Sequence, residues 1–295
     1  MVHEQVSAAR LRERKSYFSA SSALLQKFAI ILLIAGLPGT TPAATFTWTG
    51  NGGSNQWGDA GNWTSILAPP TSPSFVGEEL EFIFTGSQST SSINTAWRVT
   101  RIEFQSGVVG MTFSGSSLEF WPDHAGPQGI VNNDNSVQTF SKSEVTLYGS
   151  VTVSEFDISE FANDIDFNAK ITVESGVELN IGGNNDVFFD GGIVDPFGNG
   201  ATINKTGGGE LRLRDNSTGI NDLNIDGGQV LLSQTNNPSI NPEMRVTVNS
   251  GTFNMNGNSR TIGQLFGNGT VSTGGGTLTV SGPFSSTFGG AITGS

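Results

Sequence analysis

The chain contains no cysteine. Disulfide staples and thiolate metal sites are therefore excluded. Stability has to come from a continuous apolar core and backbone hydrogen bonding. Charge is sparse as well. Asp, Glu, Lys and Arg are 14% of the 295 residues, against about 25% in ordinary soluble domains. Soluble helices carry Ala, Glu, Lys, Leu and Arg on their exposed faces, and no capped amphipathic helix can be drawn after residue 43. The nearest approach is 154–167, where Phe156, Ile158, Phe161, Ile165 and Phe167 fit strand alternation at least as well as helical spacing. Histidine occurs twice, at His3 and His124. No nucleophile motif stands near the Pro-rich turn that holds His124, and Gly-x-Ser-x-Gly is absent. The scarce Lys and Arg do not cluster as phosphate contact requires, so nucleic acid is not expected as a partner.

Long apolar runs are missing except at 28–37. That run follows Arg10, Arg12, Arg14, Lys15 and Lys27, ends at Pro38-Gly39, and precedes the small residues Thr41, Pro42, Ala43 and Ala44. A bilayer-spanning helix needs about 20 apolar residues, and this core is half as long. Basic, apolar and small segments in that order predict a cleaved secretory leader over 1–43, cut after Ala43 or Ala44. The expectation is an exported protein, secreted or at the cell outer surface, with no membrane-spanning segment in its mature part. Losing the leader removes five of 14 basic and two of 26 acidic residues, taking the net charge from −12 to −15.

What is present is glycine, at 40 residues, with much Asn, Ser and Thr and 20 Phe. Gly and Asn serve turns that need positive φ. Between the turns run short alternating segments: 79–84, 145–148 and 170–173 each read as a strand. A Gly turn followed by an alternating strand recurs at Gly208-Gly209, Gly227-Gly228, Ser250-Gly251 and Gly275-Gly276, with a looser copy at Ser175-Gly176. Aligning the first core residue of each copy gives Leu179, Leu211, Val230, Phe253 and Leu278, spaced by 32, 19, 23 and 25. Intervals near 20–25 predict one solenoid turn each, with an inserted loop around Phe188 to Asn199 filling the longest gap. The predicted fold is an all-β parallel β-helix: an N-terminal cap with irregular rungs over 44–140, then regular rungs over 141–295, or one continuous solenoid across both.

These copies carry a family resemblance. The run Ile203, Lys205, Thr206, Gly207, Gly208, Gly209, Leu211, Leu213, then Ser217-Thr218-Gly219, then Leu223, Ile225, Gly227, Gly228, Val230, resembles the autotransporter-associated β-strand repeat. A shorter copy covers 272–282, followed by Ser286-Thr287-Phe288-Gly289-Gly290. The stretch with Trp48, Gly50, Asn55, Trp57, Gly61, Asn62 and Trp63 looks like the start of secreted bacterial proteins that carry such repeats. The good match covers 203–282. The resemblance implies bacterial secretion, a right-handed β-helix and a passenger-like role at the cell surface; handedness comes from it alone. It implies no catalytic site. Members often continue into more repeats and then a β-barrel or sorting tail. This chain stops at Gly294-Ser295, and export through a barrel of its own is not expected.

Several groups of residues could carry chemistry. Trp48, Trp57 and Trp63 could stack on sugar rings, or could close the end of the solenoid as terminal repeats require. Asp157, Glu160, Asp164 and Asp166 are the densest carboxylates. On a strand Asp164 and Asp166 share a face, as carboxylates do in β-helical polysaccharide-degrading enzymes. Only Lys170 is a nearby base in sequence. The segments Asn184-Asn185-Asp186 and Asp190-Gly191-Gly192 faintly suggest a calcium turn without the repeat of calcium-binding β-rolls. Asn62, Asn204, Asn216 and Asn268 open glycosylation sequons, which chance supplies in an Asn/Thr-rich chain. The balance predicts a non-catalytic adhesion or matrix module. It would need no cofactor or metal, and its partners would be extracellular polysaccharide or cell-surface components. The rivals are a β-helical polysaccharide lyase or hydrolase and a spacer with no ligand.

Overall fold

The computed structural model describes residues 44–64, 80–120, 129–141, 144–148, 164–174, 176–196, 198, 200–233 and 239–294, and the backbone of 151–155. The leader, the His124 turn, Asp157 and Glu160 lie outside the described residues. The described chain is all-β, with a single 3-10 turn at Ala60–Asn62. Its strands form a parallel β-solenoid.

Each rung visits up to three ladders in turn. The long ladder stacks eleven strands, from Ala44–Trp48 through Leu80–Phe84, Arg101–Phe104, Gly129–Asn132, Val151–Glu155, Glu178–Ile181, Ala201–Lys205, Ile220–Ile225, Arg245–Val248 and Gln264–Gly267 to Thr287–Phe288. The second ladder stacks ten, from Thr90–Ile93 to Ala291–Thr293, and the third stacks five, from Trp97–Val99 to Ile193–Val194. A pair of strands, Arg260–Ile262 and Leu278–Val280, forms a further short ladder.

Alternation explains why these segments are strands. In Leu80–Phe84, Leu80, Phe82 and Phe84 are buried while Glu81 and Ile83 are only partly so. A strand of period two sends one set of side chains inward. Stacked rungs then set each inward residue over the one before. Phe113, Phe140, Phe167 and Phe189 form such a column on the second ladder, each in register with the next. Ring centroids in the first two pairs lie 4.8 and 4.9 Å apart with planes 13° and 12° from parallel. That spacing is the inter-strand distance of a sheet, about 4.8 Å, so the rungs themselves enforce the stacking. Leu213 and Leu232 continue the column.

The outward faces repeat the same logic with polar groups. Asn180, Asn204 and Asn224 are register partners; Asn204 Nδ2 donates to Asn180 Oδ1 and Asn224 Nδ2 to Asn204 Oδ1, each at 2.8 Å. Arg101 faces Glu81 at 3.5 Å, Arg98 faces Glu119 at 3.2 Å, and Arg245 faces Asp222 at 2.7 Å, all at paired positions. Exposed ion pairs add little stability. A slip of one residue would turn them inward, so they specify register.

Lys205 breaks the pattern. It sits fully buried between Ile181 and Ile225. Its stem fills the column, while Nζ reaches the corner and donates to the carbonyls of Thr206 at 2.6 Å and Gly207 at 3.4 Å. The glycine that follows is required. Gly207 has φ of 70°, and a Cβ there would lie 2.0 Å from the Gly183 carbonyl oxygen.

Two expectations need correction. Leu211, Val230 and Phe253 do share one column, but Leu179 belongs to the long ladder and Leu278 to the short pair. The interval of 32 is no loop insertion, since Val187–Phe189, Ile193–Val194 and Ala201–Lys205 all lie within it. The ladders run on past residue 140. Gly129–Asn132 pairs with Val151–Glu155, and Gln138–Phe140 pairs with Ile165–Phe167. Among the described residues, rungs that visit all three ladders begin at Leu80.

Replacing Phe140 by Ala opens the middle of the stack. It is expected to cost about 3–5 kcal/mol, measured as a fall in the urea midpoint, while Phe140→Leu should cost much less.

Candidate functional site

The outward face of the second ladder gathers charge that the sequence scatters. Ile165–Phe167, Val187–Phe189 and Glu210–Leu213 bury Ile165, Phe167, Val187, Phe189, Leu211 and Leu213. The alternate residues Asp166, Phe188 and Arg212 therefore face outward in register. The Arg212 guanidinium lies 3.8 Å from the Phe188 ring centroid, a cation–π contact. Asp190 accepts from Arg212 at 3.3 Å and Arg214 at 2.7 Å, with its own side chain only 7% exposed.

Beside this column runs a second line. Asp164 Oδ1 accepts the Asp186 amide at 3.1 Å, and Asp186 Oδ1 accepts the Glu210 amide at 2.7 Å. Gln229 donates to Glu210 at 2.7 Å, and Asn254 donates to Gln229 at 3.1 Å. Carboxylates here do structural work first, holding the next rung's backbone. Burial pushes the Asp164 carboxyl above its ordinary value, and the Asp186 charge adds to this. Burial also raises Asp166, with Asp190 adding repulsion, and raises Glu210, with Asp186 adding repulsion. Asp166 Oδ1 is buried with no hydrogen-bond partner.

Asp164 and Asp166 are thus near neighbours on one face, as their spacing predicts. Lys170 does not join them; it pairs with Glu144 at 2.8 Å and, by that hydrogen bond, lowers the Glu144 pKa. The bases that do arrive are Arg212 and Arg214, with Asp190, Glu210 and Phe188. Sequence reading missed the two arginines as neighbours of Asp166 because they come from a later rung. Asp186 and Asp190 are engaged by backbone and arginine, not arranged as a calcium turn. Among the described residues no group of three or more acidic or His side chains could hold a metal ion.

Of the two alternatives for the tryptophans, their burial fits the closing of the solenoid's end. Trp48 and Trp57 are fully buried and Trp63 is 5% exposed. Trp63 packs edge-on against Trp48 at 4.9 Å and Trp57 at 5.9 Å, and its Nε1 donates to the Trp57 carbonyl at 2.8 Å. Trp57 Nε1 donates to Ser91 Oγ. No ring face is left for a sugar, so these indoles close the end of the core. Asn62 is also buried, donating to Ser54 and Gln56 carbonyls and accepting from Gly52, which occupies the amide that its sequon would offer.

An apolar gap in the core, bordered by Phe120, Ile130, Phe167 and Phe189, holds about 10 Å³, at most one water. A shallow groove of about 380 Å³ lies elsewhere, between Glu243, Gln264 and Phe284. Comparison with models of known families, with curated proteins and with solved structures gives no match.

A carboxyl whose folded pKa is raised costs stability above that pKa and recovers it as pH falls toward the unfolded value. Asp166→Asn should therefore raise the melting temperature at pH 7. The gain should shrink toward pH 4, because the wild-type carboxyl then protonates.

Proposed function

We propose that this chain is an exported, non-catalytic β-solenoid that binds polysaccharide along the outward face of its second ladder. The observation that carries this reading is the strip itself. Asp166, Phe188 and Arg212 lie in register, flanked by Glu210 and Gln229, on an open sheet face. Hydrogen-bonding groups set beside an aromatic ring suit a sugar chain. An open strip favours extended recognition over turnover, which gains from enclosing the reacting atoms and excluding water. The leader-like order of 1–43 supports export, and a low-charge, cysteine-free solenoid suits a long-lived surface element.

A second reading keeps one observation on its side. Three carboxyls with raised pKa beside two arginines are what acid chemistry on a glycan would use. Against it, Asp190 and both arginines are already committed to one another.

One experiment separates the two. The protein is incubated with a panel of bacterial and plant polysaccharides, with retention measured and the supernatant assayed for new reducing or unsaturated ends. Retention without new ends is expected. The double change Phe188→Ala and Arg212→Ala should weaken retention by about tenfold or more, the scale of losing a binding hot spot. New chain ends would refute the non-catalytic reading and make Asp166 the first residue to replace. Export is checked by the mature N-terminus, expected at Ala44 or Thr45.

A further inference from the structure

The charged strip is the middle of a longer track. On the second ladder Thr139, Asp166, Phe188, Arg212, Leu231 and Asn254 are register partners over six successive rungs. Each is partly exposed, while the residues on either side of it in its strand are buried. A second outward line runs two residues earlier in every rung, from Val137 through Asp164, Asp186, Glu210 and Gln229 to Thr252.

Apolar groups recur on this track at every second rung. Val137 is 38% exposed, one rung before Asp166; Phe188 lies one rung after Asp166, and Leu231 two rungs after Phe188. The rungs between them carry Asp164 with Asp166, and Glu210 with Arg212. Rungs stand about 4.8 Å apart, so the apolar contacts repeat at about 10 Å. One sugar of an extended chain spans about one rung. A two-fold chain turns the same ring face to a surface at every second sugar, in step with the apolar rungs. Its hydroxyls then meet the polar rungs, where carboxylates accept them in charge-assisted hydrogen bonds.

Charge selects among such chains. Arg212 and Arg214 are both held by Asp190, while Asp166 Oδ1 has no hydrogen-bond partner to share. A uronate polymer would pass over Asp164, Asp166, Asp186 and Glu210. A polymer of amine-bearing sugars would pass over the two arginines. Either meets its own sign on the track, which works against it. Building on the polysaccharide reading above, we infer that the occupant is an uncharged, extended, two-fold polysaccharide. It lies along the solenoid axis over the six rungs from Thr139 to Asn254. The track thus reads the interior of a chain by its repeat, with Val137, Phe188 and Leu231 as the apolar rests.

The test is calorimetric titration of the full chain with neutral β-1,4-linked glucose and mannose oligomers, from the disaccharide to the octasaccharide. Affinity should rise with length and level off at about six sugars, one for each rung of the track. Matched oligomers of glucuronate and of glucosamine, and α-1,4-linked glucose oligomers whose chain coils, should bind about tenfold more weakly or worse. Val137→Asp and, separately, Thr252→Asp lie at opposite ends of the track. Each should weaken the hexasaccharide by about tenfold and leave the disaccharide unchanged. Both side chains reach the surface, so the melting curve of each variant should match the parent's. Affinity that does not grow beyond the disaccharide, or tighter binding of the charged or coiled oligomers, would overturn this inference and leave polysaccharide binding standing. So would retention on the polysaccharide panel without binding of any neutral β-linked oligomer. Absence of all binding, on the panel and in titration, would remove both.

Discussion

Register between rungs is the constraint on which the rest depends. Parallel strands about 4.8 Å apart stack each inward residue directly over its predecessor, so one rung's choice of side chain binds the next. The Phe113 to Phe189 stack exists because four rungs agree in register. The same register places Asn180 under Asn204 and Arg101 beside Glu81. Core and surface therefore specify one alignment twice, by apolar fit inside and by polar pairing outside. Charge is scarce because few positions need it, and much of what remains is placed opposite a partner.

The candidate site is a by-product of that alignment. Asp166, Phe188 and Arg212 are 22 and 24 residues apart in sequence yet adjacent in space. Asp164 and Asp186 hold the backbone of the following rung, and Glu210 takes the side chain of Gln229. A surface built this way is rigid and linear. Its chemistry is spread along a face, which is why binding is the better reading than turnover.

The β-solenoid was legible in the sequence through alternation and recurrent Gly turns. The assignment of strands to ladders was not. A Gly turn followed by an alternating strand occurs on more than one side of the rung, so Leu179 and Leu278 were aligned with a column to which they do not belong. The first half was underrated for a related reason. Its rungs lack the Gly-Gly signature but use Phe82, Phe104, Phe113 and Phe140 to the same end. The tryptophans were ambiguous because Gly- and Asn-rich surroundings suit an exposed loop and a tight cap equally. Burial alone separates these, through Asn62 and Trp63, whose hydrogen bonds close the cap loop on itself. Arg212 and Arg214 were invisible as partners of Asp190 because nothing local joins them.

If the rung is the structural unit, removing one whole rung should be tolerated and removing half should not. Deleting 202–221 brings Asp222 to the position of Thr202 and Leu223 to that of Ile203, their present register partners. The shortened chain is predicted to keep its β circular dichroism and a cooperative melt near that of the parent. Deleting 206–215 removes a corner and a second-ladder strand while leaving the long-ladder strand, and should abolish cooperative melting. Equal loss of structure in both would contradict the account.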